Sequence, residues 1–305
     1  MKGVEQAILK IPVLRQIALL CKKIKLPGFG GLSLFDLIKQ YTFGIIEGTF
    51  STRAGSIAFS FFMALFPFLL FLLNLIPYVP IDDFQIEFLK FISEILPSQT
   101  TDFFFPIIED ISANPRGGLL SFVFILTIML MTNGVNAIFS GFEYSYHITI
   151  NRNFFKQYIV ALFVSVFLAL MLLTTVVIVV YSEFAIASLK DESIISNDVF
   201  WISMIRYLIF VIMIYMVIAI LYYYGVKEGK SIRFFSVGAL VTTLLFMATT
   251  FFFGVYIENF SNYNELYGSI GALLIMMLYI WINSNLLLLG FELNATLKTM
   301  KKQNC

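Results

Sequence analysis

The sequence predicts an all-α, polytopic membrane protein with six transmembrane helices and short amphipathic helices at the N-terminus and in the first external loop. Three observations predict it. Six separate apolar stretches run through the 305-residue chain, each near the roughly 20 residues that a helix needs to cross about 30 Å of hydrocarbon. Hydrophobic residues make up 59% of the chain and charged ones 13%, with a mean hydropathy of +0.89, which excludes a water-soluble domain and its larger charged surface. The charges between the stretches are sorted so that basic and acidic loops alternate.

The elements follow in order. Across residues 4–25, Val4, Ile8, Ile11, Leu14, Ala18 and Cys21 recur at helical spacing, with Lys10, Arg15, Lys22 and Lys23 elsewhere on the wheel. This pattern predicts a helix lying on the cytoplasmic leaflet, where each basic residue near anionic lipid adds about 1 kcal/mol. Pro27, Gly28, Gly30 and Gly31 end it, and a second amphipathic segment, 34–50, leads into the first span. The apolar run 11–21 is broken by Pro12 and Arg15 and lacks a small-residue cleavage site, so no cleaved signal peptide is expected.

The predicted spans are 57–76, 119–139, 158–180, 201–224, 234–255 and 270–289, and within them only Arg206 is charged. Arg206 lies near its span's end and is expected to snorkel to the headgroups. The first external loop, 77–118, carries Phe84, Phe88, Phe91, Ile92 and Ile95 at three- and four-residue steps, which predicts short amphipathic helices forming an external cap. The organisation is a cytoplasmic N-terminal region (1–52), a six-helix membrane domain (53–297) and a cytoplasmic tail (298–305).

Charge sorting gives orientation. All of the 20 basic residues except Lys90, Arg116, Lys190 and Arg206 fall on the side of both termini, and the positive-inside rule places that side in the cytoplasm. Cys21 and Cys305 lie on that reducing side, so no disulfide is expected.

Polar residues within the spans mark the candidates for function. In the first span, Ser56, Ser60 and Ala64 recur every four residues, a spacing that lets helices approach closely. Pro67 removes a backbone hydrogen bond and predicts a hinge, with Asn74 seven residues later on the same face. The second span ends in Asn133, Asn136, Ser140 and Glu143, all on one face. That stripe is costly against lipid, so it is either an internal pathway or a hydrogen-bonded seam between helices. In the sixth span Asn285 shares a face with Glu292, and Asn-x4-Gly-Phe-Glu occurs in both helices, at 136–143 and 285–292. Spans three and four are nearly all Val, Leu, Ile, Met and Phe, and their Thr174 and Thr175 can bond to their own helix, which suits lipid-facing or structural helices.

The segment 262–271, Asn-Tyr-Asn-Glu-Leu-Tyr-Gly-Ser-Ile-Gly, and the later 289–295, Leu-Gly-Phe-Glu-Leu-Asn-Ala, resemble the C-terminal signature of the YihY/BrkB family of bacterial inner-membrane proteins. Arg53-Ala54-Gly55-Ser56-Ile57-Ala58-Phe59 leading to Leu65-Phe66-Pro67 is similar to that family's opening motif. The resemblance spans roughly 35–297 and marks Arg53, Asn262, Tyr267, Gly268 and Gly271 as motif residues. It departs at 222–226, where members often carry an Arg and a Pro. It implies six helices, the cytoplasmic membrane, and members described as transporters or virulence-associated, some with a ribonuclease label.

The residues themselves offer little for catalysis. The one histidine, His147, sits in a short loop, and no Ser/His/Asp set, phosphate loop or HExxH motif occurs. Neither an enzyme nor a cofactor or metal is expected. The expected function is a transporter or flippase-like exporter of unknown substrate, its route lined by helices one, two and six. The alternative is a non-transporting envelope scaffold. The expected partners are the lipid bilayer and a small-molecule or lipid substrate, with room for homo-oligomerisation and no nucleic acid.

Overall fold

The computed structural model describes residues 22–23, 25, 33, 35–39, 50–75, 120–145, 152–191, 198–227, 234–259 and 269–303. The external cap at 77–118 and most of the N-terminal amphipathic segments lie outside this set. Among the described residues, six long helices carry the structure: α1 (Phe50–Leu75), α2 (Leu120–Glu143), α3 (Phe154–Asp191), α4 (Asp198–Gly225), α5 (Val237–Asn259) and α6 (Ser269–Gln303). No β-strand occurs among the described residues beyond a single bridge between Lys25 and Ser33.

Five of the helices, α2 to α6, contain a described stretch long and apolar enough to cross a membrane. The chain is therefore a polytopic, all-α membrane protein, because helices satisfy every backbone group internally where no water is present. With 38 residues, α3 is about 57 Å long at 1.5 Å per residue. It outruns the predicted 158–180 span at both ends, and α6 runs on to Gln303 through most of the expected tail.

The helices pack in sequence order, α1 on α2, α2 on α3, and so on to α6, which closes the ring on α1; α2 also touches α4 and α6. Consecutive helices usually neighbour each other in space, and here α1 and α2 do so across the long 76–119 connection. The buried apolar cluster sits toward one end, where the start of α1 (Ala54, Ile57) meets the end of α2 (Phe139, Phe142). The end of α4 (Ile218 to Tyr222) and the last third of α6 (Leu287, Leu288, Phe291) complete it. Arg53, Arg152, Lys156 and Lys227 belong to this end, here termed the basic end. Large apolar side chains such as Phe122, Phe163, Phe251 and Phe252 are exposed outward, a surface suited to lipid and far too apolar for water.

The small-residue face of α1 is offset from the predicted one. Of the predicted residues Ala64 is buried, Ser60 half-buried and Ser56 exposed, and Ala54 and Ala58 are buried in addition. The close approach to α2 runs instead through Gly134, whose missing side chain leaves the Ser60 carbonyl 3.8 Å from an ideal Cβ position. Farther along, Thr127 of α2 donates to the carbonyl of Pro67 at 2.8 Å, tying the proline turn to its neighbour. Before α1, Ser33 and Asp36 form a reciprocal cap on the turn at 35–39, with Ser33 N–H donating to Asp36 at 2.9 Å and Asp36 N–H to the Ser33 hydroxyl at 3.3 Å. Partial burial raises the Asp36 carboxyl, but the Ser33 bonds and nearby Lys22 and Lys39 outweigh it and hold the group below its ordinary value.

Candidate functional site

The two Gly-Phe-Glu triplets face each other at the basic end. Phe142 of α2 stacks on Phe291 of α6 with centroids 4.2 Å apart and 11° between planes. Tyr222 of α4 meets both rings edge-on, at 5.5 and 5.8 Å. The three aromatics bring α2, α4 and α6 together in a geometry that aromatic quadrupoles favour. The triplet glycines admit neighbours. A Cβ on Gly141 would lie 3.0 Å from Ile57 and 3.2 Å from Leu288. One on Gly290 would run into the hydroxyls of Thr242 and Tyr222.

The two carboxylates turn to different partners. Glu292 is 1% exposed and accepts a 2.5 Å hydrogen bond from the Ser145 hydroxyl just past α2. Arg53, 8% exposed, lies within reach of the Glu292 charge. Its Nη1 donates to the Gly141 carbonyl at 2.7 Å, and its guanidinium sits 4.6 Å from the Phe50 ring. Among the described residues its buried Nε and Nη2 have no hydrogen-bond partner. A buried charge is costly unless paired and fully bonded, so an Arg held this way is a candidate for function.

Glu143 is half-buried and accepts the backbone N–H of Arg152 at 2.9 Å. The Arg152 side chain bridges to the end of α4, donating to the carbonyls of Tyr224 at 2.6 Å and Val226 at 2.9 Å. Helix ends leave such carbonyls unsatisfied and partly negative, so a guanidinium suits them. Burial pulls Arg152 below its ordinary arginine value, against the attraction of Glu143. Gln157 of α3 lies between Ser140 and Glu143. The amide orientation that satisfies both turns its nitrogen to the two Glu143 oxygens, at 2.8 and 3.2 Å, and its oxygen to the Ser140 hydroxyl at 3.0 Å.

The stripe predicted on α2 therefore meets α3. Asn133 is exposed and accepts from the Tyr158 hydroxyl at 3.2 Å, half-buried Asn136 lies beside the Gln157 amide, and Ser140 and Glu143 complete the seam. Far from being bare scaffold, α3 supplies Gln157 and Tyr158 to it. Asn285 does not join Glu292. Its amide, like Asn283 and the Ser284 hydroxyl, bonds a carbonyl one turn back in its own helix, as short polar side chains within helices commonly do. Gly271 is buried in the first turn of α6. Asn74 falls in the last turn of α1 but its side chain, together with Asn262, Tyr267, Gly268 and His147, lies outside the described residues.

Sequence reading missed several members of the site. Ser145 and Arg152 flank a short connection and carry no periodic signal, and Gln157 lies in the first turn of α3, ahead of its long apolar run. Asn294, within the 289–295 segment, accepts the N–H of Gly238 at 2.8 Å and donates to Ser236 at 2.8 Å, capping α5 from α6. Tyr222 donates to the Leu287 carbonyl and pairs with the Thr242 hydroxyl, both at 2.7 Å. Tyr222 stands in the segment where the family resemblance fails. Among the described residues no group of three His, Cys, Asp or Glu side chains could hold a metal.

Comparison with known proteins accords with this geometry. The family model described as Virulence factor BrkB matches residues 45–304. The ribonuclease-like protein YfkH of Bacillus subtilis is 29% identical over 272 residues, covering 88% of this chain and 96% of its own. A UPF0761 membrane protein of Psychrobacter sp. is 30% identical over 77 residues, 25% of this chain and 14% of its own. Another, of Psychromonas ingrahamii, is 32% identical over 76 residues, 25% and 26% of the two chains. No solved structure matches the chain significantly. With a family model spanning both Gly-Phe-Glu triplets and every helix of the ring, the chain belongs to the family described as Virulence factor BrkB.

Proposed function

We propose that the protein is a transporter or flippase-like exporter of the bacterial cytoplasmic membrane, with α1 as a sixth crossing and both termini in the cytoplasm. Its route is lined by α1, α2 and α6. The observation that carries the reading is the burial of two opposite charges, Arg53 and Glu292, where those three helices meet. Charges within a membrane bundle are expensive to hold and mark solute or ion pathways by default. The remaining candidates along those helices are Asn74, Asn133, Asn136, Ser140, Glu143 and Asn285, and Pro67 supplies a hinge in α1.

The competing reading, a non-transporting envelope scaffold, has its own support in the seam between Glu143, Ser140 and Gln157. Polar groups satisfied between neighbouring helices need no pathway to explain them.

Reconstituted full-length protein decides between them. Dithionite quenching of NBD-labelled phosphatidylglycerol and phosphatidylethanolamine reads lipid movement. Stopped-flow light scattering with small organic anions reads solute movement. Transport predicts activity in one assay that Glu292→Gln abolishes while the protein still elutes as a single species. Vesicles as tight as protein-free ones in both assays contradict it.

A further inference from the structure

On the outer face of the ring, α3 and α4 part to leave a groove of about 1220 Å³. This exceeds the roughly 300–1,000 Å³ usual for small-molecule sites. Its walls are Phe163, Phe167 and Met171 of α3 and Met216 of α4. Its mouth, at the basic end, holds Arg152, Lys156 and Lys227, and among the described residues no lining residue is acidic.

The chemistry of the groove changes along its length. Phe163 and Phe167 are 69% and 55% exposed, so the trough opens sideways onto the surface that lipid covers. Methionine and aromatic walls adapt to flexible apolar chains. At the mouth, Lys156 and Lys227 are exposed, while Arg152 is fixed to the end of α4 and adds its charge from behind. Among the described residues, the Glu143 carboxylate at this end is engaged with the Arg152 backbone and Gln157. Cations at headgroup depth above an apolar trough match an anionic amphiphile, and basic pockets between helices on the cytoplasmic side suit lipid headgroups.

We propose that the α3/α4 groove binds an anionic phospholipid, its headgroup on Lys156 and Lys227 and an acyl chain along Phe163, Phe167, Met171 and Met216. The lipid belongs to the leaflet at the basic end, the cytoplasmic one under the positive-inside rule. The site is separate from the Arg53–Glu292 junction and stands whether or not the protein transports.

The test uses full-length protein in phosphatidylcholine nanodiscs doped with phosphatidylglycerol that carries a diazirine in its acyl chain. Crosslinked peptides are mapped by mass spectrometry. The site predicts labelling concentrated at 160–171 and 213–220, competed by unlabelled phosphatidylglycerol and not by added phosphatidylcholine. At limiting probe, Lys156→Gln lowers it about five-fold and the double variant with Lys227→Gln about 30-fold, at about 1 kcal/mol per charge. Both lysines are exposed, so these changes spare the fold, and the double Lys→Arg variant retains labelling. Val160→Trp, which fills the trough and leaves the charges, removes it. Three results overturn the proposal: equal labelling by a diazirine phosphatidylcholine, labelling unchanged in the double Gln variant, or labelling spread evenly over all outward-facing helices.

Discussion

The rings of Phe142 and Phe291 lie parallel and 4.2 Å apart, joining the end of α2 to α6. Because the following residue in each triplet is Glu, one stack places both carboxylates at the same end and turns them to opposite sides. Glu292 faces Ser145 and Arg53 within the ring, and Glu143 faces Arg152 and Gln157 at the α3 side.

Ser145→Ala removes the hydroxyl that Glu292 accepts. Hydrogen bonds to charged groups contribute about 1.5–3 kcal/mol, so the variant should melt lower in detergent by tryptophan fluorescence. Ser145→Thr, which keeps the hydroxyl, should lose much less. Equal melting of Ser145→Ala and the parent would remove this bond from the account.

Gly290 and Gly254 should respond in opposite directions to alanine. At Gly290 the new methyl group meets Thr242 and Tyr222, and overpacking of this kind costs about 1–3 kcal/mol. At Gly254 no atom of the described residues lies within 4 Å of an added Cβ, and a mid-helix Gly→Ala change stabilises by up to about 1 kcal/mol. Fluorescence-detected size-exclusion profiles after heating should rank the proteins Gly254→Ala, parent, Gly290→Ala.

Arg152→Ala frees the last carbonyls of α4. Hydrogen exchange at 220–226 should quicken in the variant, while exchange in the middle of α4, near 210–214, stays as in the parent. Arg152→Lys, with one ammonium in place of a two-pronged guanidinium, should restore only part of the protection.

Much of this end was legible in the sequence. The repeated Gly-Phe-Glu, the motif residue Arg53 and the 289–295 segment all lie in the described site. What hydropathy could not supply is which span neighbours which, since every span is equally apolar on its lipid face. The polar stripe on α2 therefore had no assigned partner until Gln157 and Tyr158 of α3 met it, although α3 reads as plain scaffold by composition. The same gap displaced the close-packing face of α1, read from Ser56, Ser60 and Ala64 at four-residue steps, whereas Ala54 and Ala58 are buried with Ala64. Asn285 shared a face with Glu292, yet periodicity cannot show that an amide will bond its own helix.

Arg53 and Glu292 are buried opposite charges where α1, α2 and α6 meet, and the proposed route requires that they be energetically coupled. A double-mutant cycle on melting, with Arg53→Gln, Glu292→Gln and both together, tests it most directly. Breaking one partner of a buried pair costs about 3–5 kcal/mol, whereas removing both charges can be nearly neutral. Coupled charges give two strongly destabilised single variants and a double variant close to the parent. Single effects that simply add in the double variant would contradict that coupling.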